Sequence, residues 1–218
     1  MKGSSVSLSF PVSGFLFDND GVLVDSLGPA AQAWNEWAVV YAPHFDFHRD
    51  IVHGQRASET IAGLVAPEIF EEADSDLARR ELEVMEGTVE IPGAVDFVTS
   101  LPDGVWAVVT SGIRALALGR LEKAGFPVPE RIVTAEDVSN GKPDPEPYRR
   151  GAELLGLDPA VCVVFEDAPA GVAAARAAGI GTIVGVGAAV RGSGETVVIE
   201  DLRSASYADG VLTVTPLA

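Results

Sequence analysis

One cysteine, two methionines, three histidines and three lysines are all that this 218-residue chain has of those types. With Cys162 alone, no disulfide can close within the chain, which fits a reducing, cytoplasmic setting. No apolar run approaches the ~20 residues of a membrane-crossing helix. The first residues offer Lys2 and a serine-rich stretch but no sustained apolar segment, so no signal peptide is expected. Repeats of solenoid period and low-complexity tracts are also lacking. Basic residues are scarce, at 15 Lys and Arg against 32 Asp and Glu, for a formal net charge of −17. That excludes the basic footprint of a general nucleic-acid or anionic-membrane binder. It also means that the overall field repels an anionic substrate. A site for one needs positive charge placed locally, so the positions of Lys2, Lys123 and Lys142 matter.

What the chain does have is apolar patterning, 47% of its residues, enough for a sizeable core in one domain or one and a half. The apolar run Gly14–Phe17 reads as a buried strand that stops at two carboxylates, Asp18 and Asp20, followed by Gly21. From residue 105 onward, strand and helix patterns alternate. Strands are predicted over 105–109, 131–133, 161–165 and 181–186, and helices over 113–124, 145–155 and 169–178, with glycine after each helix. This rhythm calls for a parallel sheet covered on both faces. Residues 26–91 differ: helices are predicted over 29–41, 58–64 and 67–85, with no convincing strand, as for a helical insertion after the first strand. Pro92-Gly93 suits a return hinge. Short strands are expected over 196–217, with Asp209-Gly210 as a hairpin turn.

Four strand ends or following loops carry chemistry: Asp18/Asp20, Thr110/Ser111, Lys142 and Glu166/Asp167. In a parallel sheet these ends share one edge, where open α/β sheets place their ligands. Two carboxylates held so close are costly unless a cation or a shared proton relieves them. A carboxylate nucleophile, a hydroxyl, a fixed cation and further carboxylates suit phosphoryl transfer through an aspartyl-phosphate, with Mg²⁺ held by oxygens. A calcium loop starting at Asp18 fails, because it would need glycine at Leu23 and glutamate at Pro29. Gly185-Val186-Gly187 has no third glycine at dinucleotide-binding spacing. His44 and His48 lack further ligands at zinc spacing, and Trp34 and Trp37 read as core.

Four segments carry a resemblance that covers nearly the whole chain. They are Phe17-Asp18-Asn19-Asp20-Gly21-Val22, Val109-Thr110-Ser111-Gly112, Gly141-Lys142-Pro143-Asp144-Pro145 and Val164-Phe165-Glu166-Asp167-Ala168-Pro169-Ala170-Gly171. In this order and spacing the chain resembles the haloacid dehalogenase superfamily, and within it the bacterial sugar-phosphate and hexitol-phosphate phosphatases near beta-phosphoglucomutase. The resemblance implies a Rossmann-like three-layer core, residues 1–25 and 93–218, with a helical cap, residues 26–92. It implies Asp18 as nucleophile, and Asp20 as the acid that protonates the leaving alcohol and then the base for water. Thr110, Ser111 and Gly112 would hold phosphate oxygens, and Lys142 would neutralise charge. Mg²⁺ would sit on Asp18, the Asp20 carbonyl oxygen and Asp167, with Glu166 beside or behind them. Arg56, in the cap segment His53-Gly54-Gln55-Arg56, is a candidate for substrate contact, with an exposed arginine at a helix start as its bland alternative; Arg114, just after the second motif, is a further candidate.

Departures within the family narrow the reading. Relatives that cleave phosphonates use a cap lysine, and none occurs between Lys2 and Lys123. Dehalogenases lack the second aspartate that stands here as Asp20. A mutase resemblance would place a histidine where Ala30 stands. The expectation is a monomeric, cytoplasmic, Mg²⁺-dependent phosphatase of small phosphorylated sugars or polyols. The alternatives are a sugar phosphomutase and a non-catalytic binding protein of the same fold.

Overall fold

A computed structural model of the chain describes residues 6–218. The chain enters through β1 (Leu8–Pro11) and β2 (Gly14–Phe17) and leaves the core at the two-residue β3 (Val24–Asp25). Helices α1 (Leu27–Tyr41), α2 (Phe47–Asp50), α3 (Ala57–Ala62) and α4 (Phe70–Glu83) follow, and β4 (Val89–Glu90) brings the chain back. Then come α5 (Ala94–Ser100), β5 (Trp106–Val109), α6 (Arg114–Lys123), β6 (Ile132–Val133), α7 (Glu146–Leu155), β7 (Cys162–Glu166), α8 (Pro169–Ala178), β8 (Thr182–Val186) and β9 (Val197–Ile199). The hairpin of β10 (Ala205–Ala208) and β11 (Val211–Val214) ends the ordered elements.

Six strands form one parallel sheet in the order β6-β5-β2-β7-β8-β9. The chain order reverses on either side of β2, and that is where a crevice opens beyond the strand ends of such a sheet. Every residue of β2, β7 and β8 is buried, as strands covered on both faces require. Alternation along β2 splits its side chains. Phe15 and Phe17 join Phe97 and Phe165 in one core, while Leu16 joins Val109, Val164 and Tyr148 in the other. A third core belongs to the helices after β3 alone: Ala33, Trp34, Trp37, Phe47, Ile61 and Leu77 pack together. Trp37 donates its indole N–H to the Ala73 carbonyl at 2.8 Å, so its one polar atom is satisfied inside that core.

The predicted alternation of strand and helix after residue 105 is present in order, with bounds displaced by a residue or two. The all-helical expectation for residues 26–91 needs correction. The short ribbon of β3 and β4, pairing Val24 with Glu90 and Asp25 with Val89, sits where the insertion leaves and rejoins the sheet. Two residues are too few to show a strand period. The helix predicted over 67–85 is divided: Pro67–Ile69 is a tighter 3₁₀ turn, and α4 begins only at Phe70. Strand β1 was not foreseen, because its partner β11 lies at the far end of the chain, with Leu8 opposite Val214. Asp209 and Gly210, with φ of 51° and 80°, make the hairpin turn expected of them.

Candidate active site

Strand β2 delivers Asp18 to the edge of the sheet, where the residue is only 6% exposed. Lys142, on the loop before α7, is wholly buried beneath it. All three ammonium protons have acceptors: Asp18 Oδ1 at 2.5 Å, Glu166 Oε1 at 2.6 Å and the Val109 carbonyl at 3.1 Å. Glu166 also accepts from the Tyr148 hydroxyl at 2.8 Å and the Ala168 N–H at 3.0 Å. Tyr148 stands under the lysine as well, its ring centroid 4.9 Å from Nζ. Asp167, the next residue after Glu166, reaches over the loop after β2. The approach is so close that a Cβ on Gly21, which has φ of +87°, would lie 2.1 Å from Asp167 Oδ2. Gly171 makes similar room in α8, where a Cβ would fall 1.6 Å from Glu166 Oε1.

This pocket is short of positive charge. Burial pushes Asp18 up to about 7 against the opposing pull of Lys142, with Glu166 adding to the rise. Burial, then the charges of Glu166 and Asp18, raises Asp167 well above the usual carboxylate range. Burial alone would depress the Lys142 ammonium, but Asp18 and Glu166 outweigh it and hold the group above lysine's ordinary value. One carboxylate oxygen from each of Asp18, Glu166 and Asp167 lies within 4.8 Å of the others. An all-oxygen, electron-rich donor set of this kind suits a hard divalent cation.

Above the carboxylates a cavity of about 600 Å³ lies between the sheet edge and the helices after β3. Asp18, Asp20, Thr110, Ser111, Gly112 and Asp167 form its floor, while Trp34, His53, Gln55, Thr60, Asp74 and Glu81 come from the insertion. Asp20 is gripped on one oxygen: Ser26 Oγ donates to Oδ1 at 2.5 Å and Arg120 Nη1 at 2.8 Å. Thr110 is buried, and its Oγ1 accepts the Gly112 N–H at 3.0 Å, which shapes the turn after β5. The Ser111 hydroxyl donates to the Gly54 carbonyl of the insertion at 2.6 Å.

A family model for haloacid dehalogenase-like hydrolases matches residues 12–179. The chain belongs to this family. Among curated members, hexitol phosphatase A of Escherichia coli (strain K12) is 43% identical over 171 residues, which are 76% of this chain and 79% of that protein. Glycerol-1-phosphate phosphohydrolase 2 of Saccharomyces cerevisiae (strain ATCC 204508 / S288c) is 39% identical over 193 residues, 82% of this chain and 76% of that one. Among solved structures, a hydrolase from Pseudomonas syringae superposes with a TM-score of 0.78 at 28% identity, over 87% of this chain and 93% of that one.

In this haloacid dehalogenase-like hydrolase the residues singled out in sequence do not all gather. Asp18, Asp20, Thr110, Ser111, Gly112, Lys142, Glu166 and Asp167 converge on the sheet edge. Arg114 does not. It turns to Asp137 at 2.5 Å on the surface, and its backbone N–H is taken by Glu136, so it lines no part of the cavity. Arg56 borders the cavity but commits its guanidinium elsewhere: to Glu59, to the Ser139 carbonyl at 3.2 Å and, less closely, to the Val138 carbonyl. It fastens the insertion to the loop that carries Lys142. Lys123 pairs with Glu86 on the surface, and Lys2 lies outside the described residues. Four participants went unnoticed in sequence: Ser26, Glu81, Arg120 and Tyr148. Arg120 reads there as an ordinary basic residue in the last turn of a helix. Only Tyr148 left a trace, as an aromatic at the start of α7 shortly after the lysine motif.

Proposed function

We propose that the protein is a Mg²⁺-dependent phosphatase of small phosphorylated polyols or sugars, working through an aspartyl-phosphate on Asp18. The observation that carries this reading is the contact of Lys142 with Asp18 at a buried strand end, with Asp167 and Thr110 beside it. The names of the relatives, a hexitol phosphatase and a glycerol-1-phosphate phosphohydrolase, support the substrate class. A cavity of about 600 Å³ suits a small metabolite rather than a protein surface.

The carboxylate of Asp18 attacks phosphorus, and the bond to the leaving alcohol breaks. Asp20 gives its proton to the departing oxygen. Asp20, now a carboxylate, takes a proton from water, which attacks the aspartyl-phosphate. The bond to Asp18 breaks, inorganic phosphate forms and both carboxyl groups are restored. Lys142 holds Asp18 in place and offsets negative charge as it develops; the Thr110 hydroxyl and the Ser111 backbone N–H orient phosphate oxygens, while the Gly112 N–H shapes the turn through Thr110 Oγ1. Asp18, Asp167 and the Asp20 carbonyl oxygen would hold Mg²⁺, which would screen the phosphate charge from the carboxylates. Glu166, its oxygens taken up by Lys142, Tyr148 and Ala168, steadies the lysine. Residues 26–92 serve as a cap that walls the leaving group from water. Ala30 borders the cavity and offers no group for proton transfer, which favours hydrolysis over mutase chemistry.

The test is phosphate release from p-nitrophenyl phosphate and a panel of hexose, pentose, polyol and glycerol phosphates, with and without Mg²⁺. Wild type is expected to act only with the metal, and Asp18→Asn to lose at least about 1,000-fold, the scale on which loss of a nucleophile is felt. Equal hydrolysis by the two proteins would end the reading.

A further inference from the structure

Among the described residues, Arg120 is the one buried guanidinium that joins the sheet edge to the insertion. It stands near the end of α6, 5% exposed, and holds two carboxylates at once: Asp20 Oδ1 through Nη1 at 2.8 Å, and Glu81 Oε1 through Nη2 at 3.1 Å. Glu81, on α4, is itself only 8% exposed. The third nitrogen, Nε, is buried with no partner among the described residues. A desolvated charge cluster with an orphaned donor is a poor way to gain stability, since apolar residues of like volume often do as well or better. What such a cluster supplies is direction.

That direction is legible at Asp20. Arg120 and Ser26 both donate to Oδ1, which therefore acts as an acceptor from two sides. With Oδ1 so occupied, Oδ2 is the oxygen left free to serve a proton transfer. Oδ2 has only a long contact with the Asn19 side chain, 3.3 Å, and Asp20 borders the cavity. We propose that Arg120 is a positioning residue which, tethered to the insertion by Glu81, fixes Oδ2 of Asp20 as the oxygen that hands its proton to the leaving alcohol. The inference rests on the acid role given to Asp20 above. In that step the phosphorus–oxygen bond to the alcohol breaks, its electron pair stays with the alcohol oxygen, and the proton on Asp20 Oδ2 moves to it.

Leaving groups that need no proton separate positioning from structure. p-Nitrophenolate departs unprotonated, whereas an alkoxide does not, and kcat/KM reports the steps up to departure. The variant is Arg120→Met/Glu81→Met, which leaves no buried charge alone. It is compared with wild type in Mg²⁺ on p-nitrophenyl phosphate and on the alkyl monoester that wild type hydrolyses fastest. Both rates are expected to fall, and the alkyl-to-aryl ratio to fall by at least about tenfold, part of what a well-placed general acid contributes. An unchanged ratio overturns the proposal, whether the two rates drop together or stay level. If the double variant does not fold, Glu81→Gln carries the same comparison: a lowered ratio supports the tether and an unchanged one overturns it. Failure of the phosphatase reading shows separately, as wild-type hydrolysis that survives Asp18→Asn.

Discussion

Among the described residues, two buried cations organise this molecule, and they are built differently. Lys142 is enclosed by the sheet edge: every proton is accepted, by Asp18, Glu166 and a carbonyl of β5, and every acceptor belongs to the sheet and its loops. Arg120 spans two bodies, with one arm on Asp20 beside the sheet, the other on Glu81 in the insertion, and Nε without a partner among the described residues. A compact ammonium with three satisfied protons suits a point that must not move. A planar fork suits a joint, because it holds two carboxylates in a set relation. Asp18, the proposed nucleophile, is thus fixed by the core alone, while Asp20, the proposed proton carrier, is fixed by the core and the insertion together.

The largest test of this contrast is Lys142→Met. It leaves Asp18 and Glu166 buried without a cation, and a loss of about 3–5 kcal/mol in urea unfolding of the metal-free protein is expected. Arg120→Met alone should cost less on the same measurement, because Asp20 keeps a third of its side-chain surface and only Glu81 is stranded. If the two losses are equal, the distinction between fixed point and joint fails on energetic grounds. Next comes Gly171→Ala. Its methyl collides with Glu166 and should shift the lysine's support, costing about 1–3 kcal/mol as overpacking does. Lowered activity toward aryl and alkyl esters alike is expected, unlike the selective loss assigned to Arg120. Smallest is Lys123→Ala. It removes the exposed pair with Glu86, the other bridge from α6 to the insertion, and should leave the unfolding midpoint where it was.

The contrast also governs what the sequence makes readable. The Lys142 cluster was legible because strand ends of a parallel sheet must share an edge, so distant motifs such as Asp18, Thr110, Lys142 and Asp167 could be brought together by topology alone. Nothing local marks Arg120 as a partner of Asp20 or Glu81: that meeting is decided by how α4 lies on α6, a matter of packing between bodies. Arg56 shows the same limit from the other side. An arginine in the insertion that the sequence offers as a substrate contact instead places its guanidinium on Glu59 and on carbonyls of the loop before Lys142. The ribbon of β3 and β4 was hidden for a simpler reason, since two residues carry no period.

The helices between β3 and β4 keep an apolar core of their own, shared with neither face of the sheet. Those same helices furnish the upper wall of the cavity, whereas the groups assigned to phosphorus stand on its floor. On the proposed reading, residues that sort one alcohol from another can therefore be exchanged, and the helices beneath them repacked, while the proposed bond-breaking groups stay as they are. One chemistry can be re-addressed to many metabolites by editing a single stretch of chain, and only the few ties across the gap, Arg120 foremost among them, limit how freely that editing can proceed.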